Sequence, residues 1–359
     1  MSKRLVLCCD GTWNTPDQEV GGRPCPTNVT KLALAVADTG ADGKEQCIAY
    51  RRGIGTRRWE RLRGGAFGCG LSRVVKDSYR FFVENFEPDD ELFLFGFSRG
   101  AYTARSTAGF VRNAGILRRE HADRIDEAYA LYRDRKTHPR GTEAQLFRRS
   151  YSNETRIRCI GVWDTVGALG IPLNGLRWVY AFNRRWQFHD TDLSSTVDAA
   201  FQALAIDEKR RPFEPALWRR QKDAGDQRLE QVWFSGDHCD VGGGHRDAAL
   251  ADIALLWMAE RARSCGLTFR PDGFSSAESA GGRDDRPIVG PDAMGELHDS
   301  RTGFYRLQHP FSRPLGAKEP VSEYAASTAV QRHEKHPPYA PDNLVSYLAG
   351  DSQVRDVEE

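Results

Sequence analysis

Ser98, Asp164 and His238 are residues of the types that move an acyl group to water through a covalent intermediate. Ser98 stands at the centre of GFSRG, residues 96–100, a G-x-S-x-G pentapeptide. That pattern carries chemistry only between a strand and a helix, where a sharp turn strains the serine and lifts its hydroxyl above a sheet. The flanking residues meet the condition. Residues 91–97 (ELFLFGF) alternate and then run apolar, as a buried strand does. Residues 99–113 (RGAYTARSTAGFVRN) carry small and apolar residues at helical spacing. Gly96 and Gly100 would let strand and helix come close. Asp164 ends the run in GVWDTVG, and His238 lies in GDHCDVGGGH after another. The order Ser, Asp, His is the one a parallel-sheet serine hydrolase requires. Ser98 would attack the carbonyl, His238 would carry the proton, and Asp164 would orient the imidazole. The oxyanion would be held by the amide of Arg99 and by that of Gly11 or Thr12, with Asp10 bracing their loop.

Other readings of the same residues stay open. Asp164 could cap its turn, and His238 could be a structural histidine bonded to the glycine-rich turn. His245 is the rival base. Asp240 is a second candidate acid, although Asp237 and Asp240 fit Asx-type bonds that fix the turn. Asp10, Asp164, Asp237, His238 and Asp240 could together hold a divalent ion, making a metal-dependent phosphoesterase one alternative, beside a serine hydrolase of non-lipid esters or amides. GIGT (53–56) and GGAFGCGLS (64–72) lack the Lys-Ser/Thr ending of a phosphate loop and read as turns near the elbow.

The elements that must position these residues are five apolar runs: Arg4–Asp10, Cys47–Arg51, Glu91–Phe97, Arg156–Asp164 and Leu229–Gly236. Helical patterns lie between them over Ser72–Asn85, 99–113, His121–Arg135 and Asp247–Cys265. Alternation of this kind predicts an α/β fold, a mainly parallel sheet flanked by helices. An aromatic-rich stretch at about 167–200, with Trp178 and Trp186 beside Arg177, Arg184 and Arg185, reads as a cap insertion that could touch a membrane surface. Residues 272–292 read as a surface loop. The prolines of the last forty residues predict a wrap of short turns over about 300–350. The whole is expected to be one domain over 1–350.

At 359 residues, with 51 Lys plus Arg against 50 Asp plus Glu, the chain has no global field to attract nucleic acid. The apolar run at MSKRLVLCC is too short for a signal peptide, and no stretch is long enough to span a bilayer. A cytoplasmic protein with reduced cysteines is expected, since the eight cysteines form no C-x-x-C pair. Nothing in the pattern calls for a cofactor, and the oligomeric state is left open.

DGTWN, GGAFGCG, FLFGFSRGAYTAR, GVWDTVGALG, ALAIDEKRRPF, VWFSGDHCDVGGG and the late Y-x-P-x-N-L together resemble the α/β-hydrolase domain family of type VI secretion phospholipase effectors, a family with many uncharacterised members. The similarity runs from about residue 4 to 346. It implies a Ser–Asp–His hydrolase of lipid esters, with the triad falling on Ser98, Asp164 and His238. It also makes signal-less export an alternative to a cytoplasmic location. The chain departs from the family pattern at Gln202, at AASTAVQR and at His245, which bears on the choice of ester. The expected partner is a lipid or other ester substrate.

Overall fold

Among the described residues, eight strands pair into one sheet in which every neighbouring pair is parallel. The computed structural model describes residues 2–11, 14–53, 66–134, 136–166, 192–222, 224–276 and 288–358. Numbering the strands of this sheet alone, they are β1 (Arg4–Cys9), β2 (Gln46–Arg51), β3 (Glu91–Phe97), β4 (Ile157–Trp163), β5 (Val197–Ala205), β6 (Arg228–Phe234), β7 (Glu323–Ala326) and β8 (Val354–Arg355). Their order is β8-β7-β6-β5-β4-β3-β1-β2. The chain steps from β1 outward to β2 and then returns to the other side of β1. The direction of winding therefore reverses between β1 and β3, which is where open parallel sheets leave a crevice beyond their strand ends.

Among the described residues the α-helices are α1 (Asn28–Ala35), α2 (Ala66–Asn85), α3 (Arg99–Ala114), α4 (Ile125–Arg133), α5 (Thr142–Tyr151), α6 (His238–Gly242), α7 (Ala249–Ser264), α8 (Ser327–Lys335) and α9 (Asp342–Leu348). They cover both faces of the sheet. Along β1 the side chains of Val6 and Cys8 join one core with Val29 and Leu32 of α1 and Leu255 of α7. Leu5, Leu7 and Cys9 point the other way, toward Tyr79 and Phe82 of α2 and Ala101 and Ala104 of α3. Strands buried on both faces have no polar side, which is why β1 and β3 read as nearly continuous apolar runs.

The five expected strands are all present, within two residues at each end. Three further strands were not expected. β5 (VDAAFQALA) lies inside the sheet between β4 and β6, so residues 197–200 are sheet and not cap. Its alanines favour helix intrinsically, and only burial between two neighbouring strands overrides that preference. β7 and β8 are too short to show a period. The GGAFGCGLS stretch is likewise not a turn throughout, because α2 begins at Ala66. The helix expected over 121–135 opens as a 3-10 turn, Arg119–Arg124, before α4. Residues 167–191 of the expected cap, 54–56 of GIGT and 277–287 of the expected loop lie outside the described residues. The flanks of that loop, Ser275–Ser276 and Ile288–Val289, pair as a two-stranded ladder. At the C-terminus the prolines separate two short helices, α8 and α9, rather than forming bare turns.

Candidate active site

Register brings the chemistry to one edge. Cys9 pairs with Gly96, Phe97 with Trp163, and Trp163 with Ala203, so Asp10, Ser98 and Asp164 leave the sheet at the same end. Ala205 pairs with Phe234, which delivers α6 and His238 there too. Ser98 sits at φ 57°, ψ −118°, outside the basins a serine ordinarily occupies. Its N–H donates to Trp163 O at 3.0 Å. The turn is possible because two glycines remove the obstacles. A Cβ on Gly96 would stand 2.5 Å from Gly100 O, and one on Gly100 would stand 2.0 Å from Cys9 O.

Ser98 Oγ lies 2.8 Å from His238 Nε2, and His238 Nδ1 lies 2.5 Å from Asp164 Oδ2. Asp164 is wholly buried, while Ser98 and His238 are 7 % and 5 % exposed. The imidazole is held between Phe97 and Phe213, at ring separations of 4.6 Å and 5.0 Å. Burial by itself would raise the Asp164 carboxyl, but the Arg313 charge and the His238 bond outweigh it and hold the group below the usual carboxylate range.

His238 opens α6, whose first turn is fixed by two acids. Asp237 Oδ1 accepts from the N–H groups of Cys239 and Asp240, and Asp240 Oδ2 accepts from the N–H of Asp237, a capping box. Asp240 also accepts from the N–H and Nδ1 of His298, at 3.0 and 2.6 Å. His245 reaches Asp237 Oδ1 at 3.1 Å and stacks on His298 at 3.9 Å. The hydrogen bonds of His245 and Asp240 run to the α6 turn and His298, whereas the imidazole bonded to Ser98 is that of His238. The rival base and the second acid are thus engaged in holding the turn.

Asp10 is 3 % exposed and serves as the hub of its loop. Its Oδ2 accepts from Thr27, Thr30 and Tyr50 hydroxyls at 2.6, 3.1 and 2.6 Å, and its Oδ1 from the Gly11 N–H at 2.6 Å. Burial raises the Asp10 carboxyl despite those donors. The Gly11 amide, expected to face an oxyanion, therefore faces Asp10 in this arrangement. Thr12 lies outside the described residues. Arg99 opens α3, so its backbone N–H lies at the positive end of the helix dipole, one residue beyond the serine.

The five-residue metal cluster does not assemble among the described residues: Asp10 is held by Thr27, Thr30 and Tyr50, Asp164 by His238 and Arg313, and Asp237 and Asp240 by the α6 turn and the neighbouring histidines. Among the described residues, Asp240, His245 and His298 could reach one ion. Their present geometry is that of a hydrogen-bonded cluster with parallel imidazoles. An ion in the plane of one such ring is out of the plane of the other.

The pattern of residues 3–261 matches the type VI secretion (T6SS) phospholipase effector Tle1-like catalytic domain. The chain belongs to that family. The family description is that of an ester-bond hydrolase. The chain is 28 % identical over 236 residues to the uncharacterized protein YEL023C of Saccharomyces cerevisiae, covering 59 % of this chain and 32 % of that one. It thus spans about a third of the curated relative it matches. Among solved structures, an uncharacterized protein from Pseudomonas aeruginosa aligns at a TM-score of 0.47 and 18 % identity, over 76 % of this chain and 47 % of the other. A butyrate-bound thermophilic esterase from Thermogutta terrifontis aligns at 0.39 and 16 %, over 76 % and 86 %. The Tle1 effector bound to the VgrG spike aligns at 0.38 and 19 %, over 68 % and 52 %. The α/β-hydrolase-like architecture is carried here by the chain's own parallel sheet and elbow.

Sequence reasoning missed two residues near the site: Arg313 carried no signal, and Phe213 closed the ALAIDEKRRPF motif with no role assigned to it. Arg313 is fully buried against Asp164 across 149 residues of chain, from an ordinary-looking SRPLG. Phe213 follows a run of basic residues and packs its ring on His238. Only the fold brings either one in.

Proposed function

We propose that this chain is a serine hydrolase that cleaves carboxylic ester bonds of phospholipids by acyl transfer to water. The observation that carries the proposal is the hydrogen-bonded series Ser98, His238, Asp164, set at the strand ends where the sheet reverses its winding. Ser98 Oγ attacks the ester carbonyl while its proton passes to His238 Nε2. The tetrahedral intermediate collapses, the bond to the leaving alcohol breaks, and His238 returns the proton to that oxygen. Water then enters by the same route, giving its proton to His238 as it attacks the acyl-serine carbonyl. When this intermediate collapses, the fatty acid is released and the proton returns to Ser98 Oγ. Asp164 stays ionised and stabilises the imidazolium. The Arg99 amide supplies one oxyanion donor. The Gly11 amide is turned to Asp10, and the second donor belongs to the loop after β1 that Asp10 braces.

The phospholipid preference rests on family membership and on the rim above His238. Tyr305, on the 3-10 turn Gly303–Leu307, packs on Phe213 at 6.4 Å, and Arg210 stacks on Phe213 at 3.6 Å. Leu307, at 83 % exposure, projects from the same turn. An exposed apolar side chain beside cations suits a lipid surface. No helix among the described residues is long and apolar enough to cross a membrane.

The test is fatty-acid release from phosphatidylcholine–phosphatidylglycerol vesicles and hydrolysis of a short-chain chromogenic ester, for the wild type and Ser98→Ala. The wild type should act on both, and Ser98→Ala should lose at least about a thousandfold. Full activity in the variant would overturn the mechanism and turn attention to the histidine–carboxylate cluster. Activity on the soluble ester alone would make the protein a non-lipid esterase.

A further inference from the structure

Asp164 is a charged group with no exposure at all, and burying a lone carboxylate is prohibitive. Its compensation comes from Arg313, itself at 0 % exposure. Nη1 of Arg313 donates to Asp164 Oδ1 at 2.6 Å and to Ala205 O at 2.8 Å. Nη2 donates to Asp164 Oδ2 at 3.0 Å and to Phe213 O at 2.5 Å. The carboxylate also accepts from the Ala205 N–H at 3.1 Å. With His238 Nδ1 on Oδ2, both oxygens are satisfied and the carboxylate plane has one setting. Arg313 is anchored in turn by Asn343 of α9, whose Nδ2 donates to Arg313 O at 3.2 Å and to Ile206 O at 3.1 Å.

We infer that Arg313 is a positioning residue: its guanidinium fork keeps Asp164 ionised and oriented on His238, so the chain beyond residue 261 completes the hydrolytic apparatus. The inference rests on the roles proposed above for Ser98, His238 and Asp164. Arg313 and Asn343 both lie outside the span that matches the catalytic-domain family, residues 3–261. A planar fork can span two carboxylate oxygens and two carbonyls at once; a lysine ammonium cannot. The charged groups facing Asp164 are Arg313 from this segment and His238 from α6, while β5 presents the Ala205 backbone. Removing Arg313 takes a cation away from the place where His238 becomes one. Without it the carboxylate loses its compensating charge and its fixed plane, and the contact with His238 Nδ1 loses its geometry.

Two readouts test this in full-length Arg313→Gln. One is the low-field proton NMR resonance of the His238 Nδ1–H in its bond to Asp164, assigned with His238→Asn. The other is the rate at which a fluorophosphonate labels Ser98 at neutral pH. The low-field resonance should shift or vanish, and labelling should slow by about tenfold or more. Either readout at its wild-type value overturns the role. Should Ser98 of the wild type fail to label, the proposed reaction falls and the resonance alone decides Arg313. Should Arg313→Gln not fold, Arg313→Lys decides: it keeps the charge and loses the fork, so labelling should slow severalfold, and an unchanged rate overturns the inference.

Discussion

Asp164 has two neighbours of opposite consequence. His238 uses it, and Arg313 compensates its burial. Asp164→Asn keeps the shape but presents the imidazole with the wrong hydrogen-bond partner. On a soluble ester kcat should fall by about 10⁴ with KM little changed. A second consequence is the pH dependence of stability. The folded Asp164 carboxyl lies below its unfolded value, so its contribution is complete above about pH 4 and is lost as the pH falls through the folded value. Asp10 has the opposite sign, since burial raises it and its protonation favours the folded state. Urea midpoints measured between pH 5 and 2 should therefore decline less steeply in Asp164→Asn than in the wild type, and more steeply in Asp10→Asn.

At the level of elements, the elbow is a contact between two backbones. Gly100 lets α3 approach β1 until a single methyl would overlap Cys9 O. Gly100→Ala should lower the unfolding free energy by roughly 1–3 kcal/mol or more in urea titration. Gly109→Ala, on the same helix but 3.2 Å from the Tyr132 ring edge, should lose less, because a side chain can shift where backbone cannot. The turn Gly303–Leu307 forms the rim. Leu307→Asp should slow hydrolysis in vesicles several times more than hydrolysis of the soluble ester, since Leu307 touches the lipid surface in our proposal and not the reacting atoms. Equal losses on both substrates would remove the rim from lipid contact.

Across the whole molecule, the C-terminal segment is woven into the sheet. β7 pairs with β6 and covers its edge, and the wholly buried Glu323 accepts the indole N–H of Trp233 at 3.0 Å. Tyr339 reaches Asp207 at 2.9 Å. A chain ended after residue 261 would leave β6 as a bare edge, strand Trp233 and leave Asp164 buried without its cation. Such a chain should show no cooperative thermal transition by circular dichroism, where the full chain shows one.

What the sequence determined by itself was local. The elbow, its two glycines, five strands and the order Ser98, Asp164, His238 were legible because backbone turns and apolar periodicity are written in adjacent residues. The capping acids Asp237 and Asp240 belong to the same class. β5 was not legible, since VDAAFQALA has helical propensity and becomes a strand only between β4 and β6. Nor were the partners of the site. Arg313 reaches Asp164 across 149 residues, His298 reaches Asp240 across 58, and the Gly11 amide turns to Asp10 and not to the cleft. Those pairings depend on register, on winding order and on which groups burial leaves without water. Such quantities exist only once the chain has closed on itself, and they decide which of several plausible acids and bases face the serine.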